Sequence, residues 1–321
     1  MTPHQPSSKT TAHQLTFLNP EGEEIEIAQD MDAIPVDEHS TIGVARVWFR
    51  QHLMDQDRPH NTIESYIYDL VVLEQRIRDK PLFRISETDI AMYLADATSK
   101  VTRKRRLTSL KAFFRYVVHD LKVLTIDPSE SFSPHPLELH RPEILTESEQ
   151  ERIVATALTD EAWSAAAIWL MLHLGLGRAE LLTLKRDHID RTAEGGPDVL
   201  VAYDTPGKRT KQRTLRANED FGKILANFVE LREPTDVLFP YGPQAVNGMV
   251  ERVAANAGIQ RRITPQLLRQ TAAVEMARQD KTINELLHLL GLANDARNRE
   301  TVRMYMDMAT ERGMRSEDNE A

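Results

Sequence analysis

The sequence contains no cysteine. This absence excludes a disulfide framework and a metal site built from thiolates, and it is typical of a reducing compartment. Long apolar runs are also lacking. The longest candidate, residues 165–176, is interrupted by His173 and indicates a buried helix, not a membrane span. The N-terminus has no cationic segment followed by an apolar one, so it does not resemble a secretory signal peptide. We therefore expect a cytoplasmic protein without a membrane segment.

The length and composition are those of a soluble globular protein. A chain of 321 residues predicts about two domains, each able to bury its own core. Hydrophobic residues make up 41% of the chain and charged residues 28%, which are ordinary fractions for this class.

The net charge of −9 by itself argues against a nucleic-acid partner. The charge is unevenly distributed, however. Residues 1–40 carry one lysine against eight acidic residues, a net charge of −7, whereas residues 41–140 sum to +2 and residues 141–321 to −4. The positive charge of the middle part is concentrated in the run 103–106. On a helix, such a run is either a solvated face or a surface that binds phosphate.

The first 39 residues form an acidic N-terminal extension. Residues 1–12 are polar and unpatterned, which is typical of disorder. Residues 15–28 place alternating apolar side chains around the turn Asn19-Pro20-Glu21-Gly22, and this pattern predicts a β-hairpin. Because its acidic side chains would repel phosphate, we expect the extension to contact protein or to act as a lid.

Residues 40–125 predict a first, helical domain. Four segments carry apolar residues at helical spacing. Ser40 and Asn61 are candidate caps of the first two segments, and Ser86 with Asp89 resembles a capping box before the third. The fourth segment carries the basic run. Four short amphipathic helices predict a small orthogonal bundle.

A linker and a second domain follow. Residues 126–145 contain four prolines, so we expect an extended and fairly stiff linker. Residues 146–312 alternate helical patterns with one strand and a polar hairpin, which predicts a helical domain with one small sheet. Thr264 is a candidate cap with Pro265 in the first turn of one of its helices, and residues 298–308 predict its last helix. Residues 313–321 form an acidic C-terminal tail.

Several short stretches carry a recognisable pattern. They are residues 61–66 and 105–114 in the first domain, and residues 264–269, 289–292 and 303–305 in the second. In this order they resemble the tyrosine recombinase (phage integrase, Xer-like) family over about residues 40–310. The resemblance implies a mainly α fold. An N-terminal four-helix core-binding domain of the SAM-like type would precede an α+β catalytic-type domain of the DNA breaking–rejoining fold, with a small antiparallel sheet.

The resemblance also implies a strand-cleavage chemistry without metal or cofactor. In the family, a tyrosine attacks the scissile phosphate and forms a 3′-phosphotyrosine. Two arginines and one or two His-type donors hold the phosphate, and a lysine on a β-hairpin is the acid. Tyr305 matches the nucleophile and Arg269 matches the second phosphate-clamping arginine. Lys208, which follows a Pro-Gly turn, matches the hairpin lysine, with Lys211 as a competitor.

Three positions depart from the family pattern. Gly177 stands where the first clamping arginine is expected, and Arg178 lies one residue later, which turns its side chain by about 100° on a helix. Gln266 and Leu292 replace His-type donors. An amide cannot carry positive charge or shuttle a proton, and leucine donates no hydrogen bond. Because losing one preorganised donor costs about 10² to 10³ in rate, the sequence predicts impaired strand cleavage.

Two further features lie near this candidate site. Gln270 stands where the family commonly has histidine. Residues 294–299 resemble an insertion that lengthens the segment between Leu292 and Tyr305, which raises the question whether Tyr305 reaches the other site residues.

The resemblance assigns DNA contacts to cations in both domains. These cations are Arg103, Lys104, Arg106 and Lys111 in the first domain, and Arg209, Arg261 and Arg262 in the second.

We therefore expect a protein that binds double-stranded DNA but is impaired in strand cleavage. Its role would be an accessory or partner subunit in site-specific recombination or integration, or a regulator at such sites, for example on a mobile element. The family assembles head-to-tail through its C-terminal segment. We accordingly expect a homo- or hetero-oligomer with recombinase subunits on DNA, in which residues 313–321 dock onto a neighbour.

Two alternatives stay open. One is an active recombinase in which Arg178 takes the place of the first arginine and Gln266 suffices. The other is a helical protein-interaction module that does not bind DNA, which the net charge of −9 permits.

Overall fold

The computed structural model describes the backbone of residues 15–18, 24–27, 36–134, 139–203, 211–232 and 236–320, and the side chains of these ranges from residue 36 to residue 312. Lys208 and Arg209, the residues 1–12 predicted to be disordered and the side chains of the acidic tail lie outside the described part. The chain divides into two compact units, Met1–Glu138 and Leu139–Ala321.

The first unit contains a short hairpin and a helical bundle. The hairpin pairs β1 (Leu15–Leu18) with β2 (Glu24–Ile27) in antiparallel register, as the alternation predicted. The helices are α1 (Ile42–Asp55), α2 (His60–Ile77), α3 (Glu87–Ala95) and α4 (Lys100–Arg115), and a single π turn, Tyr116–Asp120, continues α4. The predicted four-helix domain is confirmed.

Two of the predicted helix caps are wrong, Ser40 by one residue and Asn61 by two. The Ser40 hydroxyl bonds to the Asp37 carboxylate at 2.9 Å within a turn, and α1 is preceded by Thr41 instead. The second helix already begins at His60, after Pro59, whose carbonyl accepts from the Thr62 amide at 2.8 Å. Asp37 therefore shifted the start of α1, and Pro59 shifted the start of α2. The capping box of Ser86 and Asp89 is present as predicted.

The second unit is built around a buried helix. Its elements are α5 (Glu147–Leu158), α6 (Ser164–His173), α7 (Arg178–Leu182), β3 (Ile189–Asp190), β4 (Asp198–Val201), β5 (Arg213–Arg216), α8 (Glu219–Arg232), α9 (Pro243–Asn256), α10 (Pro265–Ala277), α11 (Ile283–Leu289) and α12 (Ala296–Glu320). Eight of the ten α6 residues are buried, as expected for a helix that is apolar all round. It packs on α5, α8, α9 and α10.

The small sheet is antiparallel in the order β3-β4-β5, with Val199 opposite both Ile189 and Leu215. Val199 and Leu215 are buried, so one face of the sheet joins the core of the unit. The predicted helical domain with one small sheet is confirmed.

The last helix is longer than the sequence pattern indicated. A helix over residues 298–308 and a separate tail from Gly313 were expected, but α12 continues to Glu320. The residues of this extension include Met, Arg and Glu, which are good helix formers, so one glycine does not end the helix.

Among the described residues, no helix combines the length and the apolar composition that a membrane crossing requires.

Candidate active site

Helix α10 carries two of the predicted site residues, Gln266 and Arg269. Thr264 caps its start by accepting a hydrogen bond from the Leu267 amide at 3.2 Å, and Pro265 occupies the first turn. Both features were predicted. Gln266 and Arg269 follow three residues apart, on neighbouring positions of the helix surface.

The buried carboxylate of Glu180, on α7, is the centre of the site. It accepts a hydrogen bond from Arg269 Nη1 at 2.7 Å and bonds from Arg213 Nη1 and Nη2 at 2.9 and 3.2 Å. The Tyr203 hydroxyl and, at 2.7 Å, the Gly177 amide also donate to it. One carboxylate therefore joins α7, the β4–β5 hairpin and α10.

The protonation state of Glu180 follows from these partners. Burial by itself would raise the pKa of Glu180, but the hydrogen bonds and charge of Arg213, with the charge of Arg269, hold it at about 2. Glu180 is therefore ionised at neutral pH. Together with Arg213 and Arg269 it forms a cluster whose net charge is positive.

Arg213 was not predicted from the sequence as a site residue. Its side chain is wholly buried, and its Nε donates to the Leu289 carbonyl at 2.7 Å. A strand alternates its faces, so Arg213 lies on the same face as the buried Leu215. That alternation was the available signal, because an arginine on the buried face of a strand requires a partner.

Gly291 provides the space for Arg213. A Cβ at residue 291 would lie 2.9 Å from Cζ of Arg213 and 3.3 Å from Oε1 of Glu180. The residue also has a φ of 59°, a left-handed conformation that favours glycine and ends α11. The glycine of the Leu-Leu-Gly stretch is therefore required by both backbone and packing.

Arg269 is held in the same way as Arg213. Besides its bond to Glu180, it donates through Nη2 to the carbonyl of Leu290. The two arginines thus satisfy carbonyl groups at the C-terminal end of α11, where the helix dipole also favours positive charge. Two of the five N–H donors of Arg269 are used by these contacts, and its side chain remains 15% exposed.

Tyr305 lies on α12, in a cluster of apolar side chains from α10, α11 and α12, and is 6% exposed. Burial raises the pKa of Tyr305 above its usual value, while a hydrogen bond with Gln270 and the charge of Arg269 partly offset the rise. Leu292 packs against the same cluster.

The additional residues before Tyr305 do not carry it away from α10. Asp295 caps the start of α12 by accepting a hydrogen bond from the Asn298 amide at 2.8 Å. The Arg299 guanidinium bonds to the side-chain oxygens of Asn294 and Asn284 at 2.9 and 3.1 Å. The extra residues thus form the junction and first turn of α12.

Gly177 and Arg178 lie next to each other but face different surroundings. Gly177 precedes α7, and a Cβ on it would lie 3.0 Å from Nη1 of Arg269. The position expected to hold the first clamping arginine therefore faces Arg269. The Arg178 side chain instead donates from Nη1 to Asn247 Oδ1 at 2.9 Å and lines a cavity with Gln266, Asn247 and other residues of α9 and the α10 N-terminus. Arg269 is not among the described residues that line this cavity.

The structure adds little information about the two candidate lysines, Lys208 and Lys211. Lys208 lies outside the described residues. The Lys211 carbonyl accepts a hydrogen bond from Arg213 Nη1 at 3.3 Å, and no ion pair joins its side chain to another described residue. No group of three or more potential metal-ligating side chains occurs in the described part of the chain.

The basic run on α4 divides into two pairs. Arg105 forms an ion pair of 2.8 Å with the buried Asp69. Arg106 lies over the Tyr93 ring, 4.6 Å from its centre, and donates to the Tyr93 carbonyl at 2.9 Å. Arg103 and Lys104 have no such contact with another described side chain. Lys111 donates to the Glu130 carbonyl at 3.5 Å and has no other side-chain partner in the described ranges.

Arg261 and Arg262 in the second unit, both predicted to contact DNA, differ in how far their guanidinium groups are exposed and bonded. All three nitrogens of the Arg261 guanidinium are used: they donate to the Glu143 and Ile144 carbonyls and to the Glu149 carboxylate. The DNA contact of Arg261 stays a prediction, and in this structure its donors already have protein partners. Arg262 bonds to Glu251 at 2.8 Å but keeps a side chain that is 77% exposed.

The architecture and the site together define the class of the protein. A four-helix bundle precedes a helical domain with a three-stranded sheet. In that domain α12, which carries Tyr305, packs on α10, which carries Arg269, and the charge of Arg269 acts on Tyr305. This is the fold of DNA breaking–rejoining proteins. Residues 143–312 match the phage integrase family and residues 48–120 match the SAM-like N-terminal domain of phage integrases.

The chain belongs to the phage integrase family and is a Xer-like member of the tyrosine recombinases. It is 26% identical over 279 residues to a tyrosine recombinase XerC of Caldanaerobacter subterraneus, covering 74% of this chain and 76% of the relative. It is 26% identical over 270 residues to a XerC of Myxococcus xanthus, covering 76% and 87%. The predicted family is confirmed.

Solved structures share the fold. A lambda integrase tetramer bound to a Holliday junction matches with a TM-score of 0.67 at 17% identity, covering 89% of this chain and 91% of that one. XerH recombinase in a post-cleavage complex with a palindromic difH substrate matches with a TM-score of 0.66 at 17% identity, covering 88% and 90%.

Proposed function

We propose that this protein binds duplex DNA as a subunit of site-specific recombination assemblies and is impaired in strand cleavage. Family membership supports the DNA partner, since the similar curated proteins are tyrosine recombinases. Structures with the same fold were solved as complexes with DNA, including a tetramer on a Holliday junction. They support an oligomer on DNA.

The observation that carries the proposed impairment is the glycine that faces Arg269. Cleavage by a tyrosine needs donors on the non-bridging phosphate oxygens, because negative charge develops there in the transition state. A second guanidinium beside Arg269 would hold two oxygens with a rigid fork. Gly177 supplies no side chain there, and Arg178 is bonded to Asn247 in a cavity that Arg269 does not line.

The two other altered positions weaken the site further. Gln266 can donate one neutral hydrogen bond, and Leu292 packs among apolar side chains where a His-type donor is expected. Effects within one site do not simply multiply. Even so, losing one preorganised donor costs about 10² to 10³ in rate, and three positions are altered.

DNA binding is independent of these donors. Exposed and half-buried cations on α4 have no carboxylate partner among the described residues, and the sequence spacing puts them on one side of the helix. They are Lys100, Arg103, Lys104, Lys111 and Arg115, which we call the α4 stripe. Phosphate contacts by such cations supply much of the affinity of DNA-binding proteins.

An accessory or partner subunit fits this combination best. Such a subunit needs the fold, the DNA contacts and the protein contacts of a recombinase but not its full chemistry. A regulator that occupies recombination sites would need the same features.

One specific feature favours the alternative of an active recombinase. Helix α12 packs on α10, and a hydrogen bond with Gln270 and the charge of Arg269 both lower the pKa of Tyr305, so a nucleophile and one clamping arginine are retained near each other. If Tyr305 still cleaves DNA, the protein would form a covalent 3′-phosphotyrosine adduct.

Trapping this adduct tests the proposal. A pool of duplexes with a randomised centre is first enriched for those that the full chain retains in a gel. The enriched duplex is then remade with a single nick at successive positions, so that a cleaved fragment diffuses away and leaves the adduct trapped. Wild type and Tyr305→Phe are compared on denaturing gels.

We expect duplex retention by both proteins and no adduct in wild type above the Tyr305→Phe background. A Tyr305-dependent adduct that forms within minutes would overturn the proposed impairment. Failure to enrich any duplex would overturn DNA binding and favour a protein-interaction module.

A further inference from the structure

A cavity of about 380 Å³ lies beside the candidate active site in the second unit. It is lined by Arg178, Asn247, Glu251, Arg262, Thr264, Pro265 and Gln266. All of these residues except Pro265 have polar side chains. A water molecule occupies about 30 Å³ in the liquid, so the cavity can hold a group much larger than one water.

Arg178 is the charged group of this cavity that has no counter-charge within the described part of the chain. Its Nη1 donates to Asn247 Oδ1 at 2.9 Å, and this is a neutral amide oxygen. No carboxylate of the described residues forms an ion pair with it. The guanidinium is therefore held in position while its charge and most of its donors remain available.

The second arginine of the cavity is already paired. Arg262 donates from Nε and Nη2 to a single oxygen of Glu251, at 2.9 and 2.8 Å. The one carboxylate in the lining is thus directed to Arg262, and the lining keeps a net positive charge. Gln266 adds an exposed amide donor.

This arrangement suits an anion with several oxygens that arrives from outside. A phosphodiester offers such oxygens, and arginine is the side chain that best matches them. Arg269 is not among the described residues that line the cavity, and we therefore assign to the cavity a phosphate other than the one that Arg269 faces.

We propose that Arg178, positioned by Asn247, contacts a backbone phosphate of bound duplex DNA in this cavity, separate from the phosphate beside Arg269. The inference rests on the proposed function, since it assumes that the chain binds DNA. It gives Arg178 a binding role in place of the cleavage role that the sequence left open.

Salt-dependent DNA binding by single-residue variants tests this inference. The affinity of the full chain for the enriched duplex is measured by fluorescence anisotropy across a salt series. The variants are Arg178→Gln, Asn247→Asp and Glu251→Gln. The matched control is Arg232→Gln, an exposed arginine on α8 without an ion pair to another described residue.

Loss of one phosphate contact should reduce the slope of log affinity against log salt by about 0.9. We expect this reduction, with an affinity loss of about tenfold at low salt, for Arg178→Gln. Asn247→Asp should weaken binding in the same direction because its carboxylate would pair with Arg178. Glu251→Gln should strengthen binding because it removes the negative charge from the lining. Arg232→Gln should behave as wild type.

The results separate the inference from the proposed function. If wild type binds with a salt-dependent affinity but Arg178→Gln has the slope of Arg232→Gln, the inference is overturned and DNA binding stands. If wild type shows no salt-dependent binding, the proposed function fails and the inference fails with it.

A calorimetric titration with inorganic phosphate tests whether the cavity binds a free phosphate ion instead of a phosphate of the DNA backbone. Binding of phosphate alone that requires Arg178, combined with unchanged DNA affinity in Arg178→Gln, would assign the cavity to a free anion and overturn the inference. Because Arg178, Glu251 and Arg232 are exposed, we expect unchanged thermal unfolding for their variants.

Discussion

Nη1 of Arg269 lies 2.7 Å from Oε2 of Glu180, and the same nitrogen lies 3.0 Å from the point where a side chain on Gly177 would begin. One guanidinium is therefore oriented by a carboxylate and faces a residue that contributes no side chain. If Arg269 binds phosphate as proposed, the carboxylate that orients it is present, whereas residue 177 contributes no second guanidinium. This asymmetry gives separate expectations for stability and for chemistry.

Replacing Glu180 by glutamine should strongly destabilise the second unit. The substitution leaves the buried Arg213 without its counter-charge, and breaking one partner of a buried ion pair costs about 3–5 kcal/mol. Denaturant unfolding measures the loss. The control is Asp198→Asn, which breaks the more exposed pair with Arg216 and should cost below about 1 kcal/mol. Equal losses in the two variants would show that the buried cluster does not stabilise the fold.

The same carboxylate should make stability depend on acid pH. The pKa of Glu180 is held at about 2, below its ordinary value of 4.5, so ionised Glu180 stabilises the folded state above pH 4.5. This stabilisation is lost as the pH falls from 4.5 towards 2, because the unfolded chain takes up the proton first.

Unfolding free energies at several pH values between 6 and about 3 should therefore fall more steeply for wild type than for Glu180→Gln. Asp160, whose pKa is also held at about 2, contributes equally to both proteins. Parallel curves for the two proteins would contradict the assignment.

Restoring the missing donors should restore strand cleavage by Tyr305 if Gly177 limits that reaction. The variant carries Gly177→Arg and Gln266→His. It should raise the rate of Tyr305-dependent adduct formation on the nicked duplex by at least about 10², the effect of one preorganised donor. The φ of −75° at residue 177 suits any residue, and Arg269 must shift only slightly to accommodate a Cβ at 3.0 Å.

The control for this restoration carries Gly177→Met with Gln266→His. Methionine fills similar space without positive charge, so no increase is expected. An equal increase in both variants would mean that packing at residue 177, and not the guanidinium, limits cleavage. No adduct from the arginine variant would mean that a different feature blocks the site.

Substitutions in the α4 stripe should weaken DNA binding, whereas a substitution of the inward-facing Arg106 should lower stability. Arg103→Gln and Lys104→Gln should each reduce the salt slope of DNA binding by about 0.9 and leave stability unchanged. Arg106→Gln should instead lower the free energy of unfolding by about 1–2 kcal/mol, because it loses the contact with the Tyr93 ring and carbonyl. Stability and anisotropy measurements on the three variants check this division. A stability loss in Arg103→Gln equal to that in Arg106→Gln would refute it.

Local signals predicted much of the fold. The caps at Ser86 and Thr264 are where the sequence placed them, because a side-chain oxygen and an amide three residues later belong to one turn. Ser40 and Asn61 were wrong starts because Asp37 and Pro59 determine the backbone there. Such competition between neighbours is difficult to rank from the sequence alone.

The charged centre of the site was only partly predictable. Arg269 was found through the motif on α10, but Arg213 was not, although both bind the same carboxylate. Arg213 is 33 residues from Glu180 and 76 from Leu289 along the chain. Short-range patterns carry no information about such distant partners, and only the alternation within β5 hinted at burial.

The sequence by itself determined that Gly177 lacks a side chain, that Tyr305 and Arg269 are present, and that their motifs follow the order typical of phage integrases. Only the tertiary structure decided which way each cation points. Arg178 faces Asn247, Arg261 faces Glu149, and the run on α4 divides into inward and outward pairs. The physical reason is that the direction of a long side chain is set by the partner that stabilises its charge, and that partner is brought near by folding.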